Sequence, residues 1–407
     1  MTEFLKLKSA DEARALMAER VPRVGTERVP LAQADGRVVA EDLRAPEDLP
    51  PWPRSVMDGY AVRAKDTFGA SDTVPAFLKV TGQVPMGDVF PGTVGAGETV
   101  AISTGGVVPD GADAVVMLEF TQEGQGGELE VHKGVAPNDH LIRRGEDVRQ
   151  GEVVVPQGKR LRPQELGALA AFGIVDVPVF RRPRVGILST GNEVVPAEET
   201  PRPGQVRCMN QHTLAAQARR AGAVVTLAGI APDEPEAIRA RTAALLEDSD
   251  LVLLSGGSSV GVRDLTAGVF EALGAELVFH GISVRPGKPT IFARRGAQII
   301  LGMPGVPVSA MVIFDVFVRP LLWTLGGEVG REPWPARRTA RMARRVASVA
   351  GREDYVRVRL GTGGLAEPLL GGSAAVSTLT RADGIVIVPA NVEGLGEGEE
   401  VEVLLYE

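Results

Sequence analysis

Short apolar runs separated by glycine and proline fill the region from residue 46 to residue 145. The segments FLKVTGQV, TVAIS, DAVVMLEF and LEVHKGV recur at roughly ten-residue intervals, which predicts a small β-rich domain. Ahead of them, Ser9 and Glu12 form a capping-box pattern that predicts a helix to about Val21, with Ala13 and Met17 turned inward. The proline-rich stretch APEDLPPWPR cannot form a helix, so it predicts a domain boundary near residue 46.

From residue 181 the pattern changes to apolar strands that alternate with amphipathic helices. The strand-like segments RVGILST, VVTLAGIA and LVLL are separated by the helical segments NQHTLAAQARRAG and PEAIRARTAALLED. This alternation predicts a doubly wound α/β domain over residues 181–327. A short helix is expected after Pro163, ending at Gly173. The last segment, residues 328–407, returns to β-like spacing and predicts a C-terminal β domain.

Composition narrows the class of protein. The chain has 407 residues, of which 44% are hydrophobic and 24% charged, which is typical of a soluble protein of two to four domains. A net charge of −8 argues against a general nucleic-acid binder. The single cysteine, Cys208, allows neither an internal disulfide nor a cysteine-based zinc site, and the four histidines lack paired metal-binding spacing.

Neither the start of the chain nor its longest apolar stretch predicts a membrane segment. The opening residues MTEFLKLKSADEA lack the apolar core of a signal peptide. Residues 308–325 are largely apolar, but they contain Asp315, Arg319 and Pro320, so they predict a buried helix rather than a membrane span. We therefore expect a cytoplasmic protein without a membrane partner.

A glycine-rich turn follows the apolar run LVLL and precedes a helical segment. In an open parallel sheet such turns bind anions, because free N–H groups and a helix amino terminus face the ligand; a phosphate is expected here. The alternative is that glycine serves only the steric needs of a strand-to-helix turn. A P-loop is absent, since Val262 and Arg263 replace its Lys and Ser or Thr. The candidate binding residues are Ser255, Gly256, Gly257, Ser258 and Ser259.

Asp264 is expected to begin the helix that follows this turn. It is either a helix-start carboxylate or a metal ligand.

Two further loops are expected at the same sheet edge. RPGKP supplies Arg285 and Lys288, while GMPGVP supplies a backbone stiffened by Pro304 and Pro307. The chain has only seven lysines, so a lysine between a glycine and a proline is not a routine solubilising charge. We interpret the three loops as one anion site.

Four other turns carry candidate polar groups. Asp58 precedes a glycine, Thr104 follows a strand-like run, Asp147 lies in RRGEDV, and Glu193 ends the first strand of the α/β domain. For Asp58 the alternative is a turn-forming role, and for Asp147 it is a solvated loop. The segment ARRTARMARR could suggest nucleic acid, but exposed arginines on a strand, or arginines that anchor an anionic ligand, fit the acidic balance better.

The order of these motifs resembles that of the MoeA family, the molybdopterin molybdenumtransferases also represented by the gephyrin E domain. The resemblance rests on SVMDGYAV, ISTGGVVPDGADAVVMLE, RRGEDV, STGNEV, SGGSSVGVRD, RPGKP and GMPGVPVSA, and more loosely on GREDYVRV and STL. It implies a multidomain α/β and β fold with a molybdopterin-binding-like central domain and a C-terminal β-barrel-like domain. It also implies a first domain split between residues 1–45 and 146–180, and an elongated homodimer with active sites built across the subunit contact.

The resemblance also implies a reaction. Family members take adenylylated molybdopterin, cleave its phosphate link to AMP and insert molybdate into the dithiolene, with Mg²⁺. The implied catalytic residues are Asp58, Asp147, Asp264 and Lys288, with Asp264 and Glu193 as metal ligands. Arg285 would bind phosphate or molybdate, together with the Gly-rich turn. Substrate contacts are further expected from Thr104, Glu193, Pro304, Pro307, Arg352 and Ser377. Other proteins of molybdenum cofactor biosynthesis are expected partners.

Four positions depart from the family pattern. Val306 replaces Asn, Arg285 replaces the commoner Lys, VGVRD lacks the extra acidic residue often found after the glycine, and Cys208 stands where an aspartate is expected. Arginine is not a neutral replacement, because its planar fork contacts an oxyanion differently from lysine.

Two alternatives to the full enzyme stay open because of these departures. The first is a catalytically weakened paralogue that carries molybdopterin or molybdate, or acts as a scaffold. The second is an enzyme that prefers tungstate. A generic nucleotide-dependent phosphotransferase is disfavoured by the missing P-loop.

Overall fold

The structure is a computed structural model that describes residues 7–256, 260–369, 371–372 and 374–406, with the backbone alone for Gln125 and residues 260–264. It contains two compact units. The larger unit comprises Met1–Ala40, Gly158–Arg162 and Val177–Glu407, and the smaller unit comprises Glu41–Gln157 and Pro163–Asp176. The four domain boundaries expected from the sequence stay a prediction.

Up to residue 180 the chain forms two α-helices and twelve mostly short strands in its described part, besides short 3-10 turns. In chain order these are α1 (Ala10–Glu19), β1 (Thr26–Pro30), β2 (Leu43–Arg44), β3 (Arg54–Ser55), β4 (Gly59–Val62), β5 (Ala76–Gln83), β6 (Glu98–Ile102), β7 (Ala114–Met117), β8 (Thr121–Glu123), β9 (Glu128–Val131), β10 (Leu141–Ile142), β11 (Val153–Val155), α2 (Pro163–Ala171) and β12 (Asp176–Phe180).

Helix α1 begins at the predicted capping box. The Ser9 hydroxyl accepts the Glu12 backbone N–H at 3.1 Å, and the Glu12 carboxylate accepts the Ser9 N–H at 2.8 Å. Two backbone donors at the helix start are thereby satisfied. Ala13 and Met17 are buried, as predicted. The helix ends at Glu19, slightly before the predicted end.

The smaller unit is built on a six-stranded sheet in the order β7-β4-β6-β5-β9-β8. Strands β5, β6, β7 and β9 confirm the four strand-like segments predicted from spacing. β4 is buried along its whole length, which places Tyr60 and Val62 in the core with Leu78 and Leu129. Two short antiparallel pairs, β3 with β10 and β2 with β11, lie outside this sheet.

The α/β region of the larger unit runs from residue 184 to residue 325. Its elements are β13 (Arg184–Thr190), β14 (Val194–Val195), β15 (Val206–Arg207), α3 (Asn210–Arg220), β16 (Val224–Ala231), α4 (Pro235–Asp248), β17 (Leu251–Ser255), α5 (Val260–Ala272), β18 (Glu276–His280), β19 (Val284–Arg285), β20 (Ile291–Arg295), β21 (Gln298–Met303), α6 (Pro307–Ile313), a π-helical turn (Phe314–Val318) and α7 (Arg319–Leu325).

These strands form a six-stranded sheet in the order β16-β13-β17-β21-β20-β18. The first four strands are parallel, β20 is antiparallel to β21, and β18 at the edge is antiparallel to β20. Every residue of β17 is buried, as expected for a strand covered on both faces. One face packs against α1, α3 and α6, and the other against α4 and α5. The doubly wound prediction is therefore confirmed, with an antiparallel edge that the pattern did not predict.

The start of helix α5 differs from the prediction. Asp264 was expected to begin this helix, but the helix begins at Val260, so Asp264 lies inside its second turn. The residues of VGVR have no proline to stop a helix, and they extend it toward the glycine-rich turn.

The C-terminal region forms a closed five-stranded barrel. Its elements are β22 (Arg337–Met342), β23 (Val346–Ala347), β24 (Glu353–Leu360), β25 (Leu365–Pro368), α8 (Ser377–Thr380), β26 (Gly384–Val388), β27 (Gly394–Leu395) and β28 (Glu400–Leu405). The strand order β24-β25-β22-β28-β26 is closed by pairing of β26 with β24, and β19 adds to β24 from outside. Closure leaves the barrel without free edges. This confirms the predicted β-barrel-like region.

Residues Pro307–Leu325 form a helix of 19 residues that is long and apolar enough to span a membrane by length and composition. However, 72% of its most apolar window is buried inside the protein. Its side chains belong to the largest hydrophobic core, which includes Val308, Phe314 and Leu322. The buried-helix prediction is confirmed.

We expect the stacked pair Phe279 and Phe292 to stabilise the sheet strongly. Phe292 has no exposed surface, and its ring lies 5.4 Å from that of Phe279. Phe292→Ala should lower the free energy of unfolding by about 3–5 kcal/mol, because it leaves a cavity. The same change at Phe68, which is 64% exposed, should cost less than about 0.5 kcal/mol. Urea unfolding of both variants measures this; equal losses would contradict the assignment of Phe292 to the core.

Candidate active site

A cavity of about 880 Å³ lies in the larger unit beside the RPGKP loop. Its wall comes from that loop, from the start of α6 and from the barrel strand β24. Five cationic side chains face one carboxylate among the lining residues that the structure describes. The cations are Arg285, Lys288, Arg345, Arg352 and Arg357, and the carboxylate is Asp354. The excess of positive charge suits an oxyanion ligand.

Strand pairing brings Arg285 and Arg352 to the same carboxylate. β19 pairs in parallel with β24, and the register sets Arg285 opposite Asp354. Asp354 is only 4% exposed; it accepts two hydrogen bonds from Arg352, at 2.6 and 3.1 Å, and lies 3.6 Å from Arg285. The buried carboxylate fixes Arg352 in the cavity wall through two hydrogen bonds, and it attracts the exposed Arg285 by charge.

Arg357 lies deeper than the other cations. Its side chain is buried, and its Nη2 atom donates to the Gly371 carbonyl at 3.4 Å, while Nε has no hydrogen-bond partner. Burial lowers the pKa of Arg357, and the nearby Arg285 cation lowers it further. A buried donor without a partner is costly, so an anion in the cavity would relieve that cost.

The carboxyl ends of β13, β17 and β21 meet at one edge of the sheet. A Cβ atom on Gly256 would lie 2.0 Å from the Thr190 hydroxyl, and one on Gly305 would lie 3.3 Å from the Gly256 Cα. Only glycine lets these two loops approach so closely. Asn210 bridges them, since its Nδ2 atom donates to the Ser255 hydroxyl at 2.6 Å and to the Gly305 carbonyl at 2.8 Å.

Two polar side chains at this edge, Asn210 and Cys208, are buried. The Asn210 Oδ1 atom is buried without a hydrogen-bond partner. The Cys208 thiol, at the position where an aspartate is expected, donates to the Ser189 hydroxyl at 3.2 Å and is buried. A neutral thiol therefore replaces the expected negative charge at this point.

Several predicted residues at this edge lie outside the cavity or outside the description. Glu193 is exposed just after β13, and Pro307 is the first residue of α6. Ser377 is exposed at the start of α8. Gly257, Ser258 and Ser259 lie outside the described residues, and the same holds for the Asp264 side chain. Of the predicted contacts, Arg285, Lys288, Pro304 and Arg352 line the cavity together.

The smaller unit contains Asp58 and Thr104 in contact. The Thr104 backbone N–H donates to Asp58 Oδ1 at 2.7 Å, and the Thr104 hydroxyl donates to the same oxygen at 3.0 Å. The backbone N–H, and then the hydroxyl, lower the pKa of Asp58. Asp58 is therefore an exposed, ionised carboxylate, in keeping with the prediction that its turn presents it.

Asp147 lies in the turn after β10, also in the smaller unit. Its backbone N–H donates to the Leu49 carbonyl at 3.1 Å, and its side chain is exposed. In the described part of this unit, no hydrogen bond joins its carboxylate to Asp58 or Thr104.

No group of three or more histidine, cysteine or carboxylate side chains that could hold a metal occurs among the described residues. Mg²⁺ does not need such a group, because it is commonly held by one or two carboxylates plus substrate phosphates. The exposed Glu193 carboxylate at the sheet edge fits that limited requirement.

Three charged residues of the cavity wall were not predicted as site residues. Asp354 and Arg357 lie in a β-like segment, and the strand-like spacing of that segment was the only available signal. Arg345 lies in the arginine-rich segment, for which anchoring an anion was one interpretation. Exposed arginines on β22, the other interpretation, are also found, at Arg337, Arg338 and Arg341.

Three family models match the chain in succession. The MoeA N-terminal region (domain I and II) matches residues 8–173, a probable molybdopterin binding domain matches residues 186–324, and the MoeA C-terminal region (domain IV) matches residues 339–406.

Relatives and a solved structure match this chain over nearly its whole length. The molybdopterin molybdenumtransferase of Synechococcus elongatus is 35% identical and covers 93% of this chain and 94% of that protein. The one from Bacillus subtilis is 33% identical and covers 93% and 90%. A molybdopterin biosynthesis moeA structure from Pyrococcus horikoshii OT3 matches with a TM-score of 0.86 at 33% identity, covering 98% of this chain and 100% of that one. The three family models follow one another along the chain, and the relatives and the solved structure cover nearly all of it. The chain therefore belongs to the MoeA family.

Proposed function

We propose that this chain is a molybdopterin molybdenumtransferase that inserts molybdate into adenylylated molybdopterin, releases AMP and depends on Mg²⁺. The observation that carries the proposal is the cavity in which five cationic side chains face one buried carboxylate. A substrate with a pyrophosphate link and a molybdate ion both need such neutralisation. The relatives named molybdopterin molybdenumtransferase support the same reaction.

In this proposal the cavity cations act on the oxyanions. Arg352, held by Asp354, and Arg285, which lies 3.6 Å from the same carboxylate, bind phosphate or molybdate oxygens through their guanidinium groups. Lys288 adds a point charge that stabilises negative charge as the phosphate link breaks. These groups are in place before substrate arrives, so the protein need not reorganise during the reaction.

Carboxylates provide the remaining groups. In this proposal Asp58, Asp147 and Asp264 orient the displacing group. Glu193 and Asp264 bind Mg²⁺. When bound, Mg²⁺ supplies positive charge that neutralises phosphate oxygens. Thr104 keeps Asp58 ionised, since its N–H and hydroxyl both donate to that carboxylate. Ser255, Gly256, Gly257, Ser258, Ser259, Pro304, Pro307 and Ser377 complete the proposed substrate contacts.

The substrate brings its own dithiolene sulfurs for molybdenum, so a protein with one buried cysteine is adequate for the chemistry. The proposal includes a cytoplasmic homodimer, with active sites shared across the subunit contact as the family resemblance implies. It also includes transfer of intermediates from and to other proteins of molybdenum cofactor biosynthesis.

AMP release from adenylylated molybdopterin tests the proposal directly. The purified chain should release AMP when molybdate and Mg²⁺ are both present. Release with tungstate instead of molybdate would assign the tungstate preference. Tight substrate binding without release, despite both ions, would reject the enzyme in favour of the carrier or scaffold, and would point to Val306 and Arg285 as the cause.

We expect Lys288→Ala to reduce kcat for AMP release by roughly 10²- to 10³-fold, because a preorganised cation is lost where negative charge develops. Lys79→Ala is the matched control, since Lys79 is exposed on β5 of the smaller unit. The control should keep its full rate. Undiminished turnover by the Lys288 variant would remove Lys288 from the proposed catalytic set.

Thr104→Val should move the acidic limb of the kcat/KM profile to higher pH. The hydroxyl of Thr104 helps to lower the pKa of Asp58, so its loss lets Asp58 take up a proton at a higher pH. Thr81→Val is the control, because the Thr81 hydroxyl donates to the Thr99 carbonyl rather than to a carboxylate. An acidic limb that does not move in the Thr104 variant would mean that Asp58 does not govern it.

A further inference from the structure

A second cavity, of about 240 Å³, lies along the buried helix that begins at Pro307. Met311, Asp315, Arg319 and Trp323 recur every four residues and all line it. Residues four apart lie on one face of a helix, so these four form a partly polar stripe on a helix that is otherwise apolar. The π-helical turn Phe314–Val318 lies within the stripe, and such turns are frequent at functional sites.

The charges around this cavity favour an anion. Arg220, Arg319 and Arg331 line it with Asp315 as the single carboxylate among the described lining residues. Asp315 lies 3.8 Å from Arg319, which is long for an ion pair, and Arg331 lies 3.4 Å from Glu328.

Aromatic rings hold two of these arginines in place. The Arg331 guanidinium lies 4.1 Å from the Trp323 ring centroid, and that of Arg319 lies 4.3 Å from the Trp334 ring centroid. Cation–π contacts of this kind fix a guanidinium without using up its N–H donors. Arg319 donates from Nη2 to the Pro333 carbonyl at 2.8 Å, and Arg331 donates from Nη1 to Glu328 at 3.4 Å. The Arg319 Nε donor has no partner and stays available to a ligand.

Three lining side chains carry a buried polar atom without a hydrogen-bond partner. They are the Nε donor of Arg319, the indole Nε1 donor of Trp323 and the Oε1 acceptor of Gln217. The amide of Gln217 is anchored at its other end, because Nε2 donates to the Met311 carbonyl at 3.1 Å. Buried polar groups normally have a hydrogen-bond partner. Two unpaired donors and one unpaired acceptor around a single cavity therefore point to a ligand that forms hydrogen bonds with them.

We propose that this cavity binds a small organic acid. The arginines and the Trp323 indole would donate to its carboxylate, Gln217 would accept from a hydroxyl or N–H group of the ligand, and Met311, Leu379 and Ala382 would cover its carbon atoms. The volume equals that of about eight liquid waters, which fits an acid of four or five carbons rather than a nucleotide.

This site is separate from the cavity of the proposed reaction. The two cavities share no lining residue, although Ser309 of the first and Met311 of the second lie on the same helix, α6. The inference does not rest on the proposed function, so either can fail without the other.

Tryptophan fluorescence of the full chain tests the proposal. Trp52→Phe leaves Trp323 and Trp334, which both lie at the cavity wall or against its arginines, as the two remaining tryptophans. In this background we expect saturable titration by L-malate, weaker binding of succinate, which lacks the hydroxyl, and no binding of the uncharged succinamide. Inorganic phosphate serves as a simple oxyanion probe and should bind more weakly than malate.

Variants then assign the binding to this cavity. Arg331→Gln should weaken malate binding about tenfold or more, because a charge-assisted hydrogen bond is lost. Gln217→Met should abolish the preference for malate over succinate. If Gln217→Met does not fold, Ala382→Leu, which fills the cavity, should block binding instead. Lys288→Ala should leave malate binding unchanged.

Two results would overturn the proposal. One is the absence of any saturable response to the acids. The other is malate binding that Lys288→Ala removes and Arg331→Gln retains, which would assign it to the larger cavity.

Discussion

The buried carboxylate of Asp354 is the constraint on which the oxyanion cavity depends. It lies where the barrel strand β24 pairs with β19, so a single acid joins the barrel to the RPGKP loop. A carboxylate that is 4% exposed is costly unless it is paired, and Arg352 and Arg285 supply the pairing. The same contacts that offset the cost of burying the acid hold Arg352 at the cavity wall and attract Arg285 to it. Stability and oxyanion recognition thus rest on one cluster.

Local signals predicted most of the fold. The Ser9 and Glu12 capping box gave the start of α1, and apolar periodicity gave the helices Asn210–Arg220 and Pro235–Asp248 as well as the buried strand Leu251–Ser255. The antiparallel pairing of β20 with β18 and β21 was not predicted, because strand direction follows from pairing across the sheet rather than from the residues of one strand. The start of α5 was placed too late, because glycine and β-branched valine lower helix propensity, yet the structure includes them.

The site was predicted only where the residues of a single loop indicate its chemistry. Glycine and proline around Arg285 and Lys288 marked a special turn, and both residues line the cavity. Asp354 and Arg357 were missed because their role comes from the register between β19 and β24, which joins positions about seventy residues apart. Asn210 was missed for a similar reason: nothing in its own helix indicates that its amide bridges Ser255 and Gly305. Long-range pairing is the information that a local pattern lacks.

Val306 shows how a departure from the family pattern is accommodated. It is the N-cap residue of α6, where an asparagine would accept a backbone N–H of the first turn, and valine makes no side-chain cap. Pro307 at the first helical position has no N–H, so one unsatisfied donor is already removed, and its fixed φ favours the helix. The Ala310 N–H still donates to the Val306 carbonyl at 3.0 Å, which closes the first turn. The substitution therefore spares the helix, and its consequence falls on the cavity, where Val306 offers an apolar surface in place of an amide.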